Sequence, residues 1–147
     1  MGTRGPGDSA APDYSRRHLR LGWSILLVYA ALGLVLESLQ GFKVAAYLDV
    51  SNDTRRTMWR LAHTHGTLLG AVNILFALTL RSSAATLAAA PRISIALIAA
   101  TVLLPVGFFL GGVVFYAGDP GLGVVLVPVG AVLLLLALFW IASRCGG

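Results

Sequence analysis

The chain has 147 residues, 57% of them hydrophobic and 12% charged, with a mean hydropathy of +0.83, whereas a soluble domain carries roughly 25% charged residues. That balance excludes an ordinary water-soluble fold and describes an integral membrane protein. The formal charge of +5 and the pI near 10.2 do not signal nucleic acid, because the basic residues stand between apolar runs, where they set membrane orientation.

The opening MGTRGPGDSAAPDYS is rich in Gly, Pro and small polar residues, which predicts a disordered cytoplasmic tail over residues 1–18. Gly2 follows Met1, but Pro6 stands where a myristoylation signal has Ser or Thr, so no lipid anchor is expected. Four apolar runs follow, at 21–39, 61–80, 93–117 and 122–142. Each is near the ~20 residues that a helix needs to cross a bilayer. The first is too long for the apolar part of a signal peptide, and its exit LGLVLESLQGF lacks an A-x-A-like cleavage site. The sequence therefore predicts an all-α, four-transmembrane-helix bundle, one domain over 19–143, with a short tail at 144–147. The single cysteine, Cys145, supports neither an intramolecular disulfide nor a multi-cysteine metal site.

Arg4, Arg16, Arg17, Arg20, Arg81, Arg92 and Arg144 fall on one side of such a bundle and Lys43, Arg55, Arg56 and Arg60 on the other. The bias puts both termini in the cytoplasm and the chain in the inner (cell) membrane, with the lipid bilayer as its first partner. In the first outer loop, YLDVSNDTRRTMWRL, residues Asn52, Asp53 and Thr54 are possible N-caps for the second span. Trp59 is expected at the outer interface, Trp23 and Trp140 at the inner one. Gly66 and Gly70 form a G-x-x-x-G in the second span, and Gly107, Gly111 and Gly112 punctuate the third, as close helix packing in lipid requires. Pro105 and Pro128 are expected to kink the third and fourth spans. With no internal repeat, an inverted-repeat transporter is not indicated.

Alternation of the spans brings Glu37, His63, His65, Tyr116 and Asp119 to one membrane face, whichever way the bundle is inserted. Ionisable groups at such depths are costly and mark functional sites. Each also has a plain structural reading: Glu37 as a solvated helix end, Tyr116 as an interfacial anchor, the histidines as hydrogen-bonded groups at a bundle end. At about 100° per residue, His63 and His65 point about 200° apart, so one helix cannot present both to one ion. His63 shares its face with Gly66, Thr67, Gly70 and Ile74, which suits helix packing. His65 shares its face with Leu68, Leu69, Val72 and Phe76, where a flat apolar ligand or a lipid has room. This favours His65 as a cofactor ligand and His63 as a supporting or helix-contact residue, with the reverse assignment open.

The segment AHTHGTLLGAVNILFAL resembles the histidine-bearing second span of haem-copper oxidase subunit I, in which an H-G step supplies an axial ligand to low-spin haem. The resemblance covers one span and implies His65, before Gly66, as ligand to haem b. The wider YLDVSNDTRRTMWRLAHTHGTLLGAVNI is similar to a small, uncharacterised bacterial family of four-span membrane proteins. The chain departs from the oxidase pattern in having too few spans and no histidine pair for a copper site. Since His18 falls on the opposite side, a second axial histidine would come from His63 of another subunit, which implies a homo-oligomer.

Haem in this place favours electron transfer, with a membrane redox partner, or gas sensing. The competing metal site takes His63 or His65 with Glu37 or Asp119, with room for a ligand from a symmetry mate, an N/O set suited to copper or zinc. There is no H-E-x-x-H motif and no nucleophile elbow to suggest hydrolysis. Ser94 and Thr101 are expected to bond carbonyls of their own helix. The alternatives to a cofactor-binding membrane protein are a non-catalytic accessory or scaffold protein and, behind it, a small channel or transporter.

Overall fold

A computed structural model of the chain describes residues 13–82, 84–116 and 118–144, the side chains of 84–87 excepted. Five helices and one two-residue hairpin follow in the order α1 (Tyr14–Gly41), α2 (Ala45–Leu48), α3 (Asp53–Ser82), α4 (Ala84–Val113), β1 (Phe115–Tyr116), β2 (Asp119–Pro120) and α5 (Leu126–Ala142), with short 3₁₀ turns at Val50–Asn52 and Leu122–Val125. Four helical segments are long and apolar enough to cross a membrane. They are α1, α3 with the turn before it, α4 from Ala88, and α5 with the turn before it. The all-α four-helix bundle is thus present, and α1 packs on α3, α3 on α4, and α4 on α5.

Contacts fix the directions. Gly22 meets Gly70 and Gly33 meets His63 across α1 and α3, while Gly107 meets Val127 and Gly130 meets Leu104 across α4 and α5. Each pair runs antiparallel, so the first and last described residues lie at one end of the bundle, here the terminal end, and the α1–α3 connection and the hairpin lie at the distal end. The apolar core sits toward the terminal end, where Phe76 and Leu80 of α3 pack with Ala90, Ile93, Ala96 and Leu97 of α4 and Ala137 of α5. α1 and α5 flank the bundle, and their outward side chains, Leu27 and Leu34 or Val132, Leu135 and Phe139, are exposed as lipid contacts require.

Several boundaries differ from the sequence-based expectation. Of the expected tail over 1–18, residues 1–12 lie outside the described residues. Residues 14–18 are helix, started by Asp13, whose carboxylate accepts from Arg16 N at 3.0 Å. Of the tail at 144–147, Arg144 alone is described. The predicted loop between the second and third spans shrinks, because Arg81 and Arg92 both lie within helices. α3 starts at Asp53 behind a 3₁₀ turn that Asp49 caps by accepting from Ser51 N. Those bonds from the Ser51 N–H and hydroxyl hold the Asp49 carboxyl below its usual range.

The third span stops at Val113, short of the expected Ala117. Arg55 of α3 is the physical reason: its Nε donates to Gly112 O at 3.1 Å and its Nη2 to Val113 O at 3.4 Å, with the guanidinium over the Trp59 and Phe115 rings. A cation on the last carbonyls completes a helix C-terminus. The chain then turns through Gly118, at φ +93°, a conformation glycine adopts without strain. Pro105 is interior to α4 as expected. Pro128 instead falls in the first turn of α5, where its missing N–H breaks no helical bond.

The α1–α3 seam needs its glycines. A Cβ on Gly22 would lie 2.7 Å from the Gly70 carbonyl oxygen, which as backbone cannot swing aside. Gly22→Ala is expected to cost about 1–3 kcal/mol, as overpacking does, read as a lowered Tm in detergent. Gly41→Ala, where an added Cβ meets nothing within 4 Å, is expected to leave the Tm unchanged. Equal losses in the two would refute the seam.

Candidate functional site

At the distal end α1 and α3 part to leave a cleft of about 430 Å³. α1 contributes Gly33, Leu36, Glu37 and Gln40, and α3 contributes Arg60, His63 and Thr64. In each helix these residues are spaced three or four apart and so form one stripe. Gly33 and Leu36 make the floor and are buried, whereas Glu37, Gln40, Arg60 and Thr64 are exposed at the rim. Arg60 Nη2 donates to Gln40 Oε1 at 3.0 Å and so leans across the opening. Glu37 has no ion-pair partner among the described residues.

His63 is the half-buried polar group of this cleft. Its Nδ1 lies 2.6 Å from Tyr29 O. A carbonyl can only accept, so Nδ1 carries the proton and donates, and in the neutral form of the ring the lone pair is on Nε2. The ring lies against Gly33, where any Cβ would collide with it. Sequence and site connect here: a glycine one turn after Tyr29 gives the imidazole room to reach the Tyr29 carbonyl.

His65 belongs elsewhere. Its Nδ1–H donates to Leu61 O of its own helix at 2.8 Å, and its ring lies against Phe108 of α4, centroids 4.7 Å apart and tilted by 35°. The face expected to hold a flat ligand holds that phenyl ring. Tyr116 (65% exposed) and Asp119 sit on the hairpin, which Thr54 holds by donating to Gly118 O. The expected convergence therefore divides into three places: Glu37 and His63 in the cleft, His65 between α3 and α4, Tyr116 and Asp119 on the hairpin. Among the described residues of one chain no group of three or more His, Cys, Asp or Glu is close enough to hold a metal ion. Arg60 and Thr64, which no motif in the sequence marks, lie one turn from and next to His63 on its stripe.

The largest omission is His18. Expected in the tail, it is fully buried at the terminal end, with Nδ1 2.6 Å from Asn73 Oδ1 and Nε2 2.8 Å from Ser94 Oγ. Asn73 Nδ2 donates to Leu69 O and to Thr101 Oγ1, both at 2.8 Å. Thr101 donates in turn to Leu97 O at 2.7 Å, as expected for that residue. The Asn73 amide oxygen accepts, so His18 Nδ1 donates, and in the neutral ring Nε2 then accepts from Ser94. Phe76 closes the site edge-on, 4.8 Å from the imidazole centroid. The network joins α1, α3 and α4. A lone Asn in the apolar stretch GAVNILF was its signal in the sequence, since an amide there must find partners.

Compared with models of known protein families, with characterised proteins and with solved structures, the chain matches none.

Asn73→Leu is expected to lose about 1–3 kcal/mol, because the His18 Nδ1–H is left buried without an acceptor. His18→Leu combined with Asn73→Leu should recover part of that loss, since both polar partners are then gone. Thermal unfolding of the two single variants and the double one in detergent checks this. A double variant as unstable as the sum of the singles would show that the pair is not coupled.

Proposed function

We propose that this is a membrane-embedded binding protein whose α1–α3 cleft takes a small amphiphile with a hydroxyl-bearing head, of the quinol type. The observation that supports this most directly is the His63 Nδ1–H bond to Tyr29 O, which leaves Nε2 as an acceptor on the cleft. Glu37 adds an acceptor, Arg60 and Thr64 add donors, and the Gly33–Leu36 floor takes the apolar body. A few polar groups over an apolar floor is the usual composition of a small-molecule site. The distribution of arginines orients the termini to the cytoplasm, so the cleft opens at the outer leaflet. His63 replaces His65 as the principal ligand-contacting residue.

A second reading has the same Nε2 bind haem or a copper or zinc ion. It is favoured by the Nδ1–carbonyl bond, which also orients metal-ligating histidines. His65 has the matching bond to Leu61 O, so both histidines belong in its test.

The experiment is titration of the purified protein in detergent with a short-tailed quinol under anaerobic conditions, followed by tryptophan fluorescence. His63→Ala is expected to weaken binding up to about tenfold, the worth of one hydrogen bond, and His65→Ala to change it less than twofold. No saturable quinol binding, or equal effects of the two substitutions, overturns the proposal. Reduced-minus-oxidised spectra after haem addition, with elemental analysis for copper and zinc, test the second reading. A haem band or bound metal lost in His63→Ala supports that reading. A band lost in His65→Ala alone moves the site to the α3–α4 interface.

A further inference from the structure

The terminal end of the bundle has a second cleft, independent of the one above. It lies between the early turns of α4 and the end of α5, measures about 270 Å³, and is lined by Ala88, Ala89, Pro91, Arg92, Trp140 and Arg144. Two arginines thus line one small concavity, and no carboxylate is among the described residues that line it. Among the described residues the one salt bridge is Arg56 with Asp53, at the other end of the bundle. Like charges that line one cleft repel each other, and an anion bound there removes that cost. Arginine's planar fork matches the oxygens of a phosphate.

The surroundings decide which kind of phosphate. Leu136, Trp140 and Arg144 follow one another at four-residue spacing and make one stripe on α5. On α4, Ile95 follows Arg92 by three. Leu136 is 41% and Ile95 71% exposed, and both lie one turn deeper than the cleft in helices apolar enough to span a membrane. A path of apolar side chains therefore leads from the arginines toward the bilayer centre. Trp140, half-buried beside the core, sits at the level where indoles mark the headgroup region. A free phosphate ion would use the arginines alone, whereas a phospholipid uses the arginines, the indole and the apolar path. The geometry points to a binding site for the phosphodiester head of an anionic phospholipid, with one acyl chain along Ile95 and Leu136. Basic pockets between spans at the cytoplasmic side hold such heads.

The test is lipid titration of the full chain in detergent, read by native mass spectrometry, with dioleoyl-phosphatidylglycerol, dioleoyl-phosphatidylcholine and inorganic phosphate as probes. Phosphatidylglycerol is expected to be retained over phosphatidylcholine. Arg92→Gln combined with Arg144→Gln is expected to weaken phosphatidylglycerol binding about tenfold or more, as the loss of two cationic contacts implies. Both side chains are exposed, so the helical circular dichroism should survive. Arg16→Gln removes an exposed charge from the same end outside the cleft and is expected to change binding less than twofold. An equal loss in Arg16→Gln, equal retention of the two lipids, or displacement of phosphatidylglycerol by millimolar phosphate each overturns the assignment. A second measurement does not depend on the arginine variants. With Trp23→Phe and Trp59→Phe leaving Trp140 as the sole tryptophan, phosphatidylglycerol with brominated chains should quench its emission more than brominated phosphatidylcholine. Equal quenching also refutes the site.

Discussion

The close approach of α1 to α3 is the constraint on which the remaining features depend. One stripe of α1, Ser15, His18, Gly22, Leu26, Tyr29 and Gly33, recurs every three or four residues and faces the stripe His63, Gly66, Gly70, Asn73 and Ala77 of α3. In lipid no water is expelled when two helices meet, so van der Waals contact and polar bonds must hold them. Glycine serves the first need by letting backbones and rings touch, as Gly66 does beneath the Tyr29 ring and Gly22 against the Gly70 carbonyl. His18 and Ser15, which donates to Ala77 O at 3.1 Å, serve the second at the terminal end. His63, bonded to Tyr29 O, serves it at the distal end. The seam is thus polar at both ends and apolar with small residues between them.

That arrangement fixes register as well as affinity. Glycine contacts tolerate some sliding, because a smooth stripe offers several near-equivalent positions. Hydrogen bonds to specific atoms do not. A one-turn slip of α1 would take His18 from both Asn73 and Ser94 and leave the imidazole and the Asn73 amide oxygen buried without these partners, each at a cost of about 1–3 kcal/mol. The involvement of α4 through Ser94 and Thr101 extends the same lock to a third helix. Pro105, one turn beyond Thr101, removes the N–H that the Thr101 carbonyl would accept. The polar cluster and one of the two proline gaps in the α4 ladder therefore stand together.

The four spans were legible because length and apolarity alone decide them. The facing of His63 was legible too, since its stripe of Gly66 and Gly70 marks a packing face by arithmetic on one helix. What could not be read was anything that needs two helices at once. His65 looked open to a ligand because nothing in α3 reveals that Phe108 of α4 covers it. His18, with Arg16, Arg17 and Arg20 around it, had the composition of a solvated tail. Long arginine side chains can reach the interface from a helix that has already begun, so charge there does not end a span. The same error placed a loop across Arg81 to Arg92, where Arg81 instead donates from α3 to Ser15 Oγ at 2.9 Å. The third span was read as too long because its end is set by Arg55, a residue almost sixty positions away.

Both clefts arise where a small-residue seam meets the interface. Between α1 and α3 the tight contact ends at Gly33, and the next residues on the stripes, Glu37, Gln40 and Arg60, are too large and too polar to close together. Between α4 and α5 the seam runs through Gly107 and Gly130 to Ala137. Beyond that point Trp140, Arg92 and Arg144 hold the helices apart. Residues that anchor a helix at the headgroup level are long and amphipathic, and they hold helices apart unless a glycine receives them, as Gly112 receives Trp59. Where no glycine receives them the helices part, and the side chains that part them supply the polar lining. Sign then distinguishes the two openings. The distal one mixes a carboxylate, an imidazole and a guanidinium, which suits a neutral molecule with both donors and acceptors. The terminal one is lined by two arginines and, among the described residues, by no acid, which suits an anion. Because they lie on opposite flanks of the α1–α3–α4–α5 row, an occupant of one leaves the other free.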